Sequence, residues 1–218
     1  MAMHLTLFPN IMFNIKLYSC RRRLLDQLLF FYLMDCSGYL LDLGGKRYNS
    51  RGKFSSAHLR SNTIVINTDA SALPDYVGEI TDFDIPESYF DYVLCLETLE
   101  YVLSPETLLS AVKRVLIPGG YLFLSVPFMH RLHGDDHFDM FRFTPAFLSH
   151  ILSDFSEVQI IPMGGPYSVV VDFIISSQKV PFILKVLLSK FMKLTLSFPS
   201  TNSSPSVTTG FFIVAKKP

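Results

Sequence analysis

Two carboxylates stand beside short apolar runs that end in turn-forming residues. Asp42 lies within GYLLDLGG, Gly38 to Gly45, among Tyr39, Leu40, Leu41 and Leu43 and just before Gly44 and Gly45. Asp69 follows the run TIVIN, Thr63 to Asn67. An apolar run ending on paired glycines reads as a buried strand that breaks into a tight turn, where a ligand can approach bare backbone. Two acidic tips at the carboxyl edge of a parallel sheet would suit a nucleoside-type cofactor laid across the strand ends. A third cluster, PFMHRLHGDDHFDMFRFT from Pro127 to Thr144, gathers His130, His133 and His137 with Asp135, Asp136 and Asp139 in one loop. Their spacing matches no standard zinc or calcium pattern, so no metal is expected there.

The elements that must carry these groups follow from periodicity and punctuation. Strands are expected at Tyr39–Leu43, Thr63–Asn67, Tyr76–Ile80, Tyr92–Leu96, Tyr121–Val126, Val158–Ile161 and Gly210–Ala215. Leu108, Leu109, Val112, Val115 and Leu116 recur at helical spacing. Ser104 suits the cap of that helix, Pro105 its first position and Glu106 its first turn. Pro118-Gly119-Gly120 is expected to stop it, and its crossover should be right-handed. Thr144 should cap a further helix over Pro145–Leu152. Gly45 to Asn62 is polar and reads as a loop where a crossover helix would usually stand. The last strand is expected to pair antiparallel at the end of the sheet.

Bulk properties narrow the function. The 218 residues suffice for one α/β domain, and 49% hydrophobic content with 20 Phe and 10 Tyr supplies a large aromatic core. Nineteen basic and nineteen acidic side chains leave no formal net charge, so no nucleic-acid partner is expected. Cys20, Cys36 and Cys95 have neither metal nor redox spacing, which points to a reducing, cytoplasmic compartment. Met1–Phe13 is apolar but interrupted by His4, Pro9 and Asn10, and Arg21–Arg23 follow it, the reverse of signal-peptide order. Leu24–Met34 is too short to span a bilayer and reads as a helix packed on the domain, with a membrane or partner contact as the other reading. Pro181–Leu196 carries Lys185, Lys190 and Lys193 on an otherwise apolar helix, with Lys179 just before it. Such a basic amphipathic helix fits a lid or homodimer surface, peripheral attachment to the anionic inner face of a membrane, or plain core packing. Thr201–Thr209 reads as a linker.

The chain resembles a class I S-adenosylmethionine-dependent methyltransferase, of the small bacterial type-11-like branch associated with glycan and polysaccharide biosynthesis. The resemblance rests on LDLGG (Leu41–Gly45), RGKF (Arg51–Phe54), INTDA (Ile66–Ala70), VGEITDFDIPESYFDYVLCLETLEYV (Val77–Val102), LLSAVKRVLIPGGYLFLSVPF (Leu108–Phe128) and HGDDHFDMFRFT (His133–Thr144). It runs from about Gly38 to Leu152 and resumes weakly in the final strand. It implies an α/β fold: a Rossmann-like, mostly parallel seven-stranded sheet with the last strand antiparallel, in a three-layer sandwich. One such domain is expected over 1–218, with an N-terminal helical extension 1–36 and an inserted helical segment 167–200. S-adenosylmethionine is the implied cofactor. Asp42, Gly44 and Gly45 would line its loop, and Asp69 would accept hydrogen bonds from the ribose hydroxyls. Glu79 would lie near the adenine, and Leu96 and Glu97 would flank the sulfonium. Each carboxylate also has a plain local reading: Asp42 as a cap of the glycine turn, Asp69 as an Asx-turn residue, Glu79 as exposed loop, Glu97 as a helix cap. Two departures stand out: Lys46-Arg47 directly after the glycines, and Tyr101 where a His is frequent.

The resemblance also assigns catalytic candidates in the loop after the fifth strand. His137 would take a proton from a hydroxyl acceptor, its ordinary pKa suiting that task. Asp139 would orient the imidazole. Arg142 would hold an acidic acceptor or lock the loop by pairing with Asp139. The alternative is a loop held together by salt bridges and aromatic packing. The expected activity is methyl transfer to oxygen or nitrogen of a small molecule or sugar. The rivals are a non-catalytic scaffold of the same fold and a different nucleotide enzyme. GGKRYN after Leu43 does not fit the dinucleotide fingerprint G-x-G-x-x-G.

Overall fold

The computed structural model describes residues 17–47, 54, 62–132, 139–195 and 206–218. The expectations for Met1–Phe13, for most of the Gly45–Asn62 loop, for His133 and His137, and for much of the Thr201–Thr209 linker lie outside the described residues.

In chain order the elements are α1 (Cys20–Leu33), β1 (Leu40–Leu43), β2 (Thr63–Asn67), β3 (Tyr76–Val77), β4 (Phe90–Leu96), α2 (Pro105–Val115), β5 (Leu116–Pro127), α3 (Pro145–Ile151), β6 (Ser156–Pro162), α4 (Pro166–Ser176), α5 (Phe182–Thr195) and β7 (Gly210–Lys216). Short 3-10 turns occupy Ala70–Ala72, Ile80–Asp82 and Leu99–Tyr101. The seven strands form one sheet in the order β3-β2-β1-β4-β5-β7-β6. The pairs among β1 to β5 are parallel, and β7 runs antiparallel to both its neighbours.

The expected α/β sheet is therefore present, with one correction of position. β7 does not close the sheet at its end; it lies between β5 and β6, from Tyr121↔Lys216 to Pro127↔Gly210. Its burial explains this. β7 is buried along nearly its whole length, as an interior strand must be, whereas the first residues of β6 alternate between half-buried and exposed, as on an edge. Two boundaries also differ from expectation. β3 is only two residues long, because Gly78 turns the chain at φ +151° into the 3-10 turn. Helix α2 ends at Val115, and Pro118-Gly119-Gly120 belongs to β5, since Leu116 pairs with Phe90. Ser104 occupies the cap position of α2 without a side-chain cap bond, whereas the Thr144 hydroxyl accepts from Phe147 N–H at the start of α3.

Alternation along the strands builds the layers. Leu41, Leu43, Val93, Cys95, Leu122 and Leu124 face one way, into a core shared with α2 and α3. Leu40, Leu94, Leu96, Phe123, Phe212 and Val214 face the other way, against Leu24, Leu25, Leu28, Leu29 and Leu33 of α1. Each of these α1 leucines is at most 1% exposed, and full burial of such a side chain is worth roughly 2 kcal/mol. This core holds α1 to the sheet. Phe123 anchors the same side, its ring stacked on Tyr92, Tyr121 and Phe212 at 6.3 Å between centroids.

The first turn of α1 is fastened by the late helices. Asp172 of α4 accepts from Cys20 N–H (2.5 Å) and Arg21 N–H (3.1 Å), and Ser19 accepts from Arg22 N–H. These bonds satisfy donors that a helix start leaves open. Arg23 donates to the Ser189 hydroxyl of α5. The N-terminus of α1 thereby reaches the carboxyl edge of the sheet.

Candidate active site

The sheet order reverses at β1, which has β2 on one side and β4 on the other. Open α/β sheets form a ligand crevice at such a switch, outside the carboxyl ends of the strands. Gly44 and Gly45 end β1 at this point, and each must be glycine for its own reason. Gly44 has φ +73°, and a Cβ there would clash with Thr98. A Cβ on Gly45 would clash with the Asp42 carboxylate, which is folded against that backbone. Gly44 N–H donates to Ile66 O at 2.8 Å. The Thr98 hydroxyl lies 3.1 Å from both the Leu43 and the Leu96 carbonyl, which joins the tips of β1 and β4.

Asn67 joins the two acidic tips. Its side-chain N–H donates to Gly45 O at 2.8 Å, and its side-chain carbonyl accepts from Asp69 N–H at 2.9 Å. Asp69 is exposed, and its two oxygens accept from Ser71 N–H and Ser71 O–H, each at 2.8 Å. Those bonds from Ser71 hold its carboxyl below the usual range. Each carboxylate oxygen retains a lone pair for another donor, so the Asx-turn role and ribose binding are compatible. Glu79 is exposed at the start of the Ile80–Asp82 turn, where its N–H donates to Asp82 Oδ2 at 2.7 Å.

The tips of β4 and β5 are built differently. Leu96 is 2% exposed, with its side chain in the core against α1, so it offers backbone to a ligand. Glu97 adopts φ +53°, a conformation uncommon for a residue with a side chain. Its N–H donates to Ser125 O (2.9 Å) and Oγ (3.1 Å), and the Ser125 hydroxyl donates to Glu97 Oε1 at 2.9 Å. Glu97 Oε2 is ion-paired with Arg21 from the first turn of α1. Burial lowers the Arg21 guanidinium to about 10, opposed by the nearby Glu100 and Asp172 charges, so it stays charged at neutral pH. Glu100 is fully buried, and its backbone carbonyl accepts from Met140 and Phe141 N–H. Arg142 donates to Asp139 Oδ2 at 2.5 Å and to Phe141 O at 2.9 Å. Burial, reinforced by Glu100 and Asp139, pushes the Tyr101 phenol up to about 12, so Tyr101 remains a protonated hydroxyl.

The structure thus brings Asp42, Gly44 and Gly45 together with Asp69 through Asn67, and Leu96 to Gly44 through Thr98. It pairs Arg142 with Asp139. It commits Glu97 to Arg21 and Ser125. Arg21, Ser125, Asn67 and Glu100 escaped sequence reasoning. Arg21 sits in the run Arg21–Arg23, which looks like a solvated face. Glu100 carried a signal: an acid among Leu99, Tyr101 and Val102 in a segment that must be buried. An open furrow of about 240 Å3 lined by Leu109, Lys113, His150 and Phe155 lies between α2 and α3, on the helical layer away from these tips.

Residues 22–124 match the protein-family model described as a methyltransferase domain. No curated protein matches the chain in sequence. Solved structures share its fold over about nine-tenths of its length. An S-adenosylmethionine-dependent methyltransferase from Archaeoglobus fulgidus is 17% identical, with TM-score 0.59, covering 90% of this chain and 94% of that one. Phosphoethanolamine N-methyltransferase 2 from Haemonchus contortus, solved with S-adenosyl-L-methionine, is 15% identical with TM-score 0.58; the match covers 90% of this chain and 52% of that one. Geranyl diphosphate C-methyltransferase from Streptomyces coelicolor A3(2), solved with S-adenosyl-L-homocysteine, is 13% identical with TM-score 0.59, covering 89% of this chain and 77% of that one. The matched stretch contains the tips of β1, β2 and β4. The backbone at Gly44 and Gly45 has no room for a Cβ and is bare to the close approach of a ligand.

Proposed function

We propose that the chain is a class I S-adenosylmethionine-dependent methyltransferase that methylates an oxygen or nitrogen of a small molecule or sugar, a reading supported by the methyltransferase-domain match over residues 22–124. The observation that carries this reading is the Asn67 link: one side chain fixes the glycine turn and the Asp69 turn together at the switch crevice. The cofactor supplies a methyl group already activated by its positive sulfur. Gly44 and Gly45 bind its methionine end through backbone, and Asp42 supports that turn from behind. Asp69 accepts from the ribose hydroxyls, and Glu79 lies on the adenine side. Leu96 backbone and Glu97 border the sulfonium, where Glu97, held by Arg21 and Ser125, contributes an oriented carboxylate rather than a mobile one. Arg142 locks the stretch from Asp139 onward, which leaves His137 as the proton acceptor for a hydroxyl substrate.

Calorimetry with S-adenosylmethionine, followed by mass spectrometry of candidate sugars and amines incubated with the enzyme, tests the reading. Expected are saturable binding, competition by S-adenosylhomocysteine and a mass gain of one methylene on an acceptor. Absence of binding would favour the scaffold alternative. For a hydroxyl acceptor, His137→Ala is expected to cut turnover about a hundredfold with cofactor affinity unchanged. Unchanged turnover would return His137 to a structural role.

A further inference from the structure

Helices α4 and α5 leave uncovered an apolar surface that carries none of the residues assigned above to the proposed methyl transfer. On α4, Tyr167, Val170 and Phe173 recur at intervals of three and are 84%, 56% and 48% exposed, while Val169, Val171 and Asp172 are buried. On α5, Ile183, Leu184, Leu187 and Phe191 are exposed, while Val186 and Ser189 turn inward. Scattered exposed apolar residues need no explanation; stripes on two consecutive packed helices do.

The charge of the same segment is one-sided. From Pro166 to Thr195 the acidic side chain is Asp172, buried under the start of α1, whereas Lys179, Lys185, Lys190 and Lys193 are all basic. The whole chain has no net charge, so composition alone does not explain this concentration. The pattern disfavours a second copy, because a two-fold interface would set these lysines against themselves. An anionic bilayer surface satisfies both features: headgroups neutralise lysines, and aromatic and aliphatic side chains enter the boundary beneath. At 14 residues α5 suits a helix lying in the interface, and among the described residues no helix is long and apolar enough to cross a membrane.

We propose that the α4–α5 face docks the enzyme peripherally on anionic lipid. The proposal rests on this face alone and is independent of the acceptor reading. Its test is co-sedimentation of the full chain with vesicles of phosphatidylcholine alone or mixed with phosphatidylglycerol. Expected is binding to the mixed vesicles that weakens with added salt, and little binding to phosphatidylcholine. Lys179→Gln and Lys190→Gln should each weaken it on the order of fivefold. Leu187→Ser should weaken it about tenfold or more. Circular dichroism and S-adenosylmethionine affinity should stay unchanged in all three variants. Equal binding to both vesicle types, no binding to either, or a dimer in sedimentation equilibrium that Leu187→Ser dissolves while vesicle binding persists would each overturn the proposal.

Discussion

The two halves of the strand edge are built on opposite principles. At the tips of β1 and β2, the polar groups are exposed or half-buried and bonded to near neighbours: Asp69 to Ser71, Glu79 N–H to Asp82. At the tips of β4 and β5, the charges are buried or largely so: Glu97 is bonded across the fold to Arg21 and Ser125, and the buried Asp139 carboxylate is paired with Arg142 three residues on. The first half can lose a side chain and lose mainly a ligand contact. The second cannot, because removing one partner strands a charge away from water. The proposed ribose side is therefore a set of replaceable donors and acceptors, and the proposed methyl side is part of the core.

Arg21→Met should have the largest effect. It leaves the Glu97 carboxylate without its cation and is expected to cost about 3 kcal/mol in urea unfolding. Arg21→Met combined with Glu97→Leu should recover part of that stability while methyl transfer stays low. Full activity in the double variant would erase the distinction between the two halves. Gly45→Ala comes next, because its Cβ must displace the Asp42 carboxylate; a loss of about 1–2 kcal/mol is expected with weakened S-adenosylmethionine binding. Asp69→Ala should leave the fold intact and weaken cofactor binding about tenfold, as loss of charge-assisted hydrogen bonds predicts. Normal calorimetric affinity would remove Asp69 from the ribose site.

The smallest effect concerns Asp172, whose carboxyl burial raises above the ordinary value near 4. The native state then keeps a proton that the unfolded chain has already released. Stability should fall as pH rises from the ordinary carboxyl value through the raised one. Asp172→Asn retains an acceptor for the first turn of α1 and removes the titration, so its urea midpoint should vary less across mildly acidic pH. Identical slopes in the two proteins would show that Asp172 does not titrate there.

The legible parts of this molecule are the local ones. The β-branched run Thr63–Asn67 reads as a strand with its observed ends, and the period of Leu108, Leu109, Val112 and Val115 marks α2 correctly. Gly44 and Gly45 announce a turn, and Asp69 its Asx geometry, because such features depend on neighbours within a few residues. Asp172 is visible as the lone acid in an apolar helix, but its partner is not: Cys20 and Arg21 lie 152 and 151 residues away. The Arg21 charge looks like ordinary surface until α1 packs on the sheet. The place of β7 between β5 and β6 likewise emerges only from the assembled sheet.

Periodicity and punctuation were enough to mark the strands, the acidic residues beside their ends and the bare-backbone turn, since backbone preference and burial act over short distances; the mostly parallel order came from the resemblance to a known family. The local Asp139–Arg142 pair was legible in the sequence, but packing chose which distant charges became buried partners. An ion pair such as Arg21–Glu97 can form only after folding has removed both groups from water, and no local pattern encodes that meeting.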